Sequence, residues 1–246
     1  MDTASQARRA PRAVFFDVGD TLLDTSAMLD SALYTALVPL DPTRTIADVR
    51  RAVAASGATL PVKRPPFHEV KDNAAWWLDR YRRVGQALDL DPAALDRFVA
   101  TVGAGHFGGD PLVVIPDAPA ALARLAARGI GLGVISNWDD TLEAILEKKG
   151  LRRFFRVCVA STALHRAKPD RAIFEHALSL MGVAAHEAWH VGDDATADAL
   201  GALRAGMSAV LLDPHGLYAS LEREGVARAR TLTGAVDRIL RDAPAA

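Results

Sequence analysis

"AVFFDVGDTLLD", residues 13–24, runs apolar and small residues into Asp17 and then turns through Val18, Gly19, Asp20 and Thr21. A short apolar run bounded by turn residues reads as a buried strand. An acid at the end of such a strand either bonds its own local backbone or is delivered to a site. Taken alone, Asp17 is better read as a turn or cap residue, so its meaning depends on what the rest of the chain brings beside it.

Four further stretches read as strands: "IGLGVIS" (130–136), "RVCVAS" (156–161), "AWHVGD" (188–193) and "SAVLLD" (208–213). Between them lie the helical patterns "DAPAALARLAARG" (117–129), "DDTLEAILEKKG" (139–150) and "KPDRAIFEHALSLMG" (168–182), each closed by a glycine. This alternation predicts an α/β fold, a parallel sheet with helices on both faces. Ligands of such sheets bind beyond the carboxyl ends of the strands, so Asp17, Ser136 and Asp193 should face one crevice. From about Ser26 to Gly109 the rhythm breaks. The stretches "SAMLDSALYTAL", "KDNAAWWLDRYRRVGQAL" and "PAALDRFVATVG" are helical, and no strand is convincing. The region is expected to be an inserted helical subdomain, hinged near Asp24 and near "GGDP" (108–111).

Composition narrows the partners. The chain has 246 residues, enough for a large core with an insertion, and is 50% hydrophobic and 24% charged. Lys and Arg number 29 against 30 Asp and Glu, so no net field favours nucleic acid or an anionic membrane, and a small molecule is the expected partner. No apolar run approaches the roughly 18 residues of a membrane helix. Cys158 is the only cysteine, which rules out an intramolecular disulfide and suggests a reducing, cytoplasmic compartment. It reads as a small strand residue, and the arginine-rich opening "MDTASQARRAPR" as a frayed terminus. Nothing decides between monomer and homodimer.

Three stretches bear on Asp17. In "VISNWDD" a strand delivers Ser136 and Asn137 just before a helix, where a hydroxyl, an amide and free backbone N–H groups suit an anion, although taken alone the stretch is better read as an ordinary N-cap. In "HRAKPDRAIF" Lys168 precedes Pro169 at a helix start, which holds the lysine more firmly than a surface position would; a solvated surface lysine is the alternative. In "HVGDDATADALGALRAGM" Asp193, Asp194 and Asp198 place three carboxylates within six residues. Such acids repel one another unless a cation or lysine neutralises them, and oxygen ligands suit magnesium.

Asp17 with Thr21, then Ser136, then Lys168-Pro169, then Gly192-Asp193-Asp194 with Asp198 resemble the four ordered motifs of the haloacid dehalogenase superfamily. Most of its members are phosphatases. The resemblance covers Ala13–Asp24 and nearly all of Pro116–Asp213, and is strongest to a dehalogenase-like hydrolase branch. It implies a Rossmann-like α/β core of residues 11–24 and 110–246, with an α-helical cap domain at 25–109. It makes Asp17 the nucleophile, forming an aspartyl-phosphate that water hydrolyses. It assigns Mg2+ to Asp17, the backbone carbonyl of Gly19 and Asp193, with Asp194 or Asp198 acting through water or orienting Lys168. Ser136, the adjacent Asn137 amide and Lys168 would hold the phosphoryl oxygens, and Thr21 would brace the nucleophile loop. Substrate choice would sit in the cap, where "KRPPFHEV" and "NAAWWLDRYRR" offer His68, Trp76, Trp77 and several arginines, the tryptophan pair being better read as core.

One position departs from the family pattern. Phosphatases of the superfamily carry a second Asp two residues after the nucleophile, to protonate the leaving oxygen, and here that position is Gly19 with Asp20 following. Glycine keeps the carbonyl but removes an acid worth on the order of 100- to 10,000-fold. Three readings follow: a magnesium-dependent hydrolase of a small phosphorylated metabolite, best with leaving groups of low pKa; a metal-independent 2-haloacid dehalogenase, which needs no such acid; and a phosphate-binding or regulatory protein with little turnover. The acidic cluster favours the first.

Overall fold

The computed structural model describes residues 11–56, 73–108 and 112–242. The arginine-rich opening before residue 11, His68, most of "GGDP" and the expected boundary at residue 110 lie outside them, as does the side chain of Trp76. The chain divides into two compact units, one formed by Met1–Leu23 and Val114–Ala246, the other by Asp24–Val113. Among the described residues no helix is long and apolar enough to cross a membrane.

The first unit is built on the strands β1 (Ala13–Phe16), β4 (Gly131–Ser136), β5 (Val157–Ala160), β6 (Ala188–Gly192), β7 (Ser208–Leu212) and β8 (Ala227–Ala229). They form a six-stranded sheet in the order β5-β4-β1-β6-β7-β8. All its pairings are parallel. The five strands expected from the sequence are present, each ending within a residue of its expected limits. The sixth, β8, was missed because "ARA" carries no apolar run. Two further short strands, β2 (Leu23–Asp24) and β3 (Val113–Val114), pair with each other where the chain leaves the first unit and returns to it.

The register explains how the motifs meet. β1 is central and wholly buried, as its unbroken apolar run requires with both faces covered. Phe16 pairs with Val134 on one side and Val191 on the other. The residues that follow, Asp17, Ser136 and Asp193, therefore emerge side by side. The helix Arg171–Met181 packs Ile173, Phe174, Ala177 and Leu178 into the sheet's core. It stops at Gly182, whose φ of 70° is open to glycine at little cost, and whose N–H closes onto Leu178 and Ser179. This helix begins later than its sequence suggested: Asp170 caps it by accepting from the Ala172 N–H, so Lys168 and Pro169 lie ahead of it.

The second unit is helical, with Ser26–Leu37, Ile46–Ala55, Asn73–Ala87 and Pro92–Phe107. Leu33, Leu37, Val49, Tyr81, Val84 and Phe98 form its core, and Trp77 packs against it. The helix Ile46–Ala55 is absent from the sequence reading. It is fixed by a capping box in which Thr45 and Asp48 exchange hydrogen bonds with each other's backbone.

Candidate active site

Asp17 leaves β1 with its backbone still tied to the sheet, its N–H donating to the Val191 carbonyl at 2.9 Å. The residue is 8% exposed. Its Oδ1 accepts from Ser136 Oγ at 2.9 Å and from Lys168 Nζ at 2.6 Å. No donor of the described residues meets Oδ2. Local turn bonding therefore does not account for Asp17; both partners come from more than a hundred residues away.

Lys168 is buried and reaches a second carboxylate, Asp198 Oδ1, at 2.5 Å. Its backbone is clamped by Asn137, whose Oδ1 accepts from the Lys168 N–H at 2.8 Å and whose Nδ2 donates to the Lys168 carbonyl at 3.0 Å. The Asn137 side chain thus fixes the backbone of Lys168. The loop after β4 is anchored in turn where the Trp138 carbonyl accepts from Ser161 Oγ and Thr162 Oγ1.

The three acids after β6 separate into different tasks. Asp194 is exposed and caps the following turn, its Oδ1 accepting from the N–H groups of Thr196 and Ala197 at 2.7 Å. That turn, Ala195–Leu200, is π-helical, a wider winding often found at functional sites. It carries Asp198 back against the strand end, where Oδ2 accepts from the Asp194 N–H at 3.0 Å and Oδ1 from His190 Nε2 at 2.9 Å. Gly192 makes the space, since a Cβ there would lie 2.2 Å from Asp198 Cγ. Asp193 is half-buried and accepts from Thr21 Oγ1 at 3.3 Å.

Asp17, Asp193 and Asp198 each offer an oxygen within 4.8 Å of the others, a spacing a metal ion could occupy. The electrostatics reflect this crowding. Burial, then the charges of Asp17, Asp198 and Asp20, push Asp193 up to about 8. Burial also raises Asp17, with Lys168 opposing it and the Asp198 charge adding to it. For Asp198, burial is outweighed by Lys168 and His190, which hold it well below the usual carboxylate range. Lys168 is raised, because Asp17 and Asp198 together overcome the cost of its burial. Burial pushes His190 below the usual histidine range.

The structure therefore brings Asp17, Thr21, Ser136, Asn137, Lys168, Asp193 and Asp198 together. Gly19 lies in the loop after Asp17 and bridges to Leu23. Asp20 is exposed, with a φ of 51°, and its N–H donates to the Leu23 carbonyl at 2.7 Å. His190 was missed, because a histidine inside an apolar strand reads as core. Cys158 is half-buried in β5, and burial above all pushes its thiol up to about 11, so it is not a ready nucleophile.

Comparison with known proteins agrees with this arrangement. The haloacid dehalogenase-like hydrolase family matches residues 11–206. A phosphoglycolate phosphatase of Rhodospirillum rubrum is 37% identical over 215 residues, covering 82% of this chain and 79% of its own. The haloacid dehalogenase-like hydrolase domain-containing protein 3 of Danio rerio is 32% identical over 207 residues, covering 82% and 85%. Among solved structures, a 2-haloacid dehalogenase from Pseudomonas syringae pv. Tomato shares the fold, with a TM-score of 0.62 at 24% identity over 94% of this chain and 98% of that one. With its motifs in one cluster and the match spanning most of its length, the chain belongs to the haloacid dehalogenase-like hydrolase family.

Proposed function

We propose that the protein is a magnesium-dependent phosphatase acting on a small phosphorylated metabolite, with Asp17 as its nucleophile. The observation that carries this reading is the division of labour on Asp17: Oδ1 is held by Ser136 and Lys168, while Oδ2 meets no donor of the described residues. In the first step Oδ2 bonds to phosphorus as the bond to the leaving oxygen breaks, giving an aspartyl-phosphate. Water then attacks phosphorus, loses a proton to solvent and releases phosphate with Asp17 restored. The Ser136 hydroxyl, the Asn137 backbone N–H and the Lys168 ammonium would meet the phosphoryl oxygens, whose negative charge otherwise repels an attacking carboxylate.

The donor set fits a hard cation: carboxylates of Asp17 and Asp193 with the Gly19 carbonyl would hold it. Bound magnesium would neutralise phosphoryl charge. Both oxygens of Asp198 are already engaged by Lys168, His190 and the Asp194 N–H, so its part is to orient the lysine. The phosphatase relatives support this reading over dehalogenation.

Gly19 supplies no proton to the leaving oxygen. Substrates whose leaving group needs none, such as acyl phosphates and phosphoanhydrides, are therefore favoured over alkyl esters. The helical unit is the proposed source of substrate selection. The same glycine favours one second reading, hydrolysis of a 2-halo acid, in which halide departs without a proton.

Phosphate release from an aryl phosphate, with and without magnesium, tests the proposal beside chloride release from 2-chloropropionate. Magnesium-dependent phosphate release that disappears in Asp17→Asn is expected. Chloride release without metal would replace this reading with the second. Phosphate binding with no turnover of any phosphorylated metabolite would mark a binding protein.

A further inference from the structure

His190 has no part in the chemistry described so far, yet the sheet gives it a costly place. It stands on β6 opposite Phe15 of β1 and Ala209 of β7, fully buried, with its ring edge-on to Phe174 at 5.4 Å. An apolar side chain here would bring no unpaired polar atom into the core. The imidazole instead leaves Nδ1 buried with no hydrogen-bond partner, and makes a single polar contact, from Nε2 to Asp198 Oδ1 at 2.9 Å. A carboxylate that accepts from Lys168 has only lone pairs to offer, so the proton of this contact is on Nε2. His190 is then the neutral tautomer that donates to Asp198, with a bare Nδ1 toward the apolar side.

We infer that His190 is a positioning residue for Lys168, acting through Asp198. Asp198 receives three donors from three places: Lys168 Nζ and His190 Nε2 on Oδ1, and the Asp194 N–H on Oδ2. The histidine is the stiff member of the set. Its ring is fixed by the strand and by Phe174, whereas the lysine arrives on a four-carbon stem. Gly192 lets the carboxylate settle against the strand end. Together these hold Asp198 still, and a still Asp198 keeps the ammonium within 2.6 Å of Asp17. With the histidine donor lost, the carboxylate can rotate and the lysine can follow it away from the nucleophile. Partners of this kind, one shell beyond the reacting groups, often matter by about 10- to 100-fold.

The inference rests on the phosphatase reading, in which Lys168 meets a phosphoryl oxygen, and its test separates the two. His190→Phe keeps ring volume and removes the donor, His190→Gln restores an N–H of similar reach, and His190→Asn carries an amide too short to reach Asp198. Two readouts are taken: steady-state kinetics on an aryl phosphate with magnesium, and binding of inorganic phosphate by isothermal titration without metal. His190→Phe and His190→Asn should lower kcat by about 10- to 100-fold and weaken phosphate binding severalfold, with His190→Gln close to wild type. In a Lys168→Met background His190→Phe should weaken phosphate binding no further, because its effect passes through the lysine.

If His190→Phe fails to fold, the Gln and Asn pair carries the comparison. Wild-type kinetics and binding in the Phe or Asn variant, equal losses in Gln and Asn, or an undiminished further loss in the Lys168→Met background would each overturn the inference while leaving the phosphatase reading intact. A wild type that neither turns over nor binds phosphate would overturn that reading, and the inference with it.

Discussion

Two aspartates follow parallel strands of the same sheet, Asp17 after β1 and Asp213 after β7, and both are almost completely buried, 8% and 4% exposed. Their surroundings are opposite in kind. Asp213 Oδ1 accepts from the Leu217 N–H, and Oδ2 from the Tyr218 N–H and Arg228 Nη1, so both oxygens are spent on fixing the next loop and the neighbouring strand. Asp17 has every partner on Oδ1, and Oδ2 meets no donor of the described residues. On the proposed function, a buried acid at a strand end is a structural clamp or a reactive group according to whether its second oxygen is filled. Position and burial alone do not distinguish the two.

The comparison is broken most sharply by making the same change at both sites. Asp17→Asn should reduce turnover of an aryl phosphate by on the order of 10,000-fold or more, as loss of a nucleophile does, while Asp213→Asn leaves kcat where it was. A comparable loss in both would mean that Asp17 is a clamp as well. Next in size is Ser136→Ala, which takes one of the two donors from Oδ1 and from the phosphoryl group. A fall in kcat of about 100-fold is expected, at the lower end of what a preorganised donor contributes.

Gly19→Asp should act in the other direction. Gly19 is not among the described residues with a positive φ, so its backbone suits an aspartate. Turnover of an alkyl phosphate should rise by up to about 100-fold, with little gain on an acyl phosphate. Equal gains on both substrates would show that proton transfer is not what position 19 lacks.

The smallest effect belongs to the clamp. Asp213→Asn should cost about 1–2 kcal/mol in urea unfolding, since one charged acceptor is lost while the loop remains. Burial by itself would raise Asp213, but the hydrogen bonds from Tyr218, Arg228 and Leu217 outweigh it and leave its carboxyl below the usual range. A depressed folded pKa stabilises above the ordinary aspartate value and loses that contribution as pH falls through the folded one. The gap between wild type and Asp213→Asn should therefore be full at neutral pH and close in acid, below about pH 4. A gap that persists there would assign the loss to packing.

Asp213 also shows where sequence reading stopped. "SAVLLD" and "AVFFD" look alike, an apolar run closed by Asp, and only distant motifs separated them. Asp17 was legible because Ser136, Lys168 and the acids after β6 are residue types that share one chemistry. Thr21 and Asn137 were legible as members of that set, but the Asn137 clamp on the Lys168 backbone was not, since a side-chain to backbone contact leaves no mark on spacing. The same holds for Asp194, a cap by geometry and a metal-site neighbour by sequence. The helix Ile46–Ala55 was missed although Thr45 and Asp48 spell a capping box, with Asp in place of the usual Glu or Gln.

The sequence by itself determined the strand segments, the alternation that makes the sheet parallel, the helices Ser26–Leu37, Asn73–Ala87 and Pro92–Phe107, and which distant residues gather around Asp17. These follow from local periodicity and from residue chemistry, which short windows contain. Only the tertiary structure decided the strand order that sets β4 and β6 on either side of β1, the pairing of β8, the assignment of Asp198 to Lys168 instead of a cap, and the place of His190 behind it. Each of these depends on which groups meet across tens to hundreds of residues. Hydrogen bonds reward particular distances and directions in space, and position along the chain records neither.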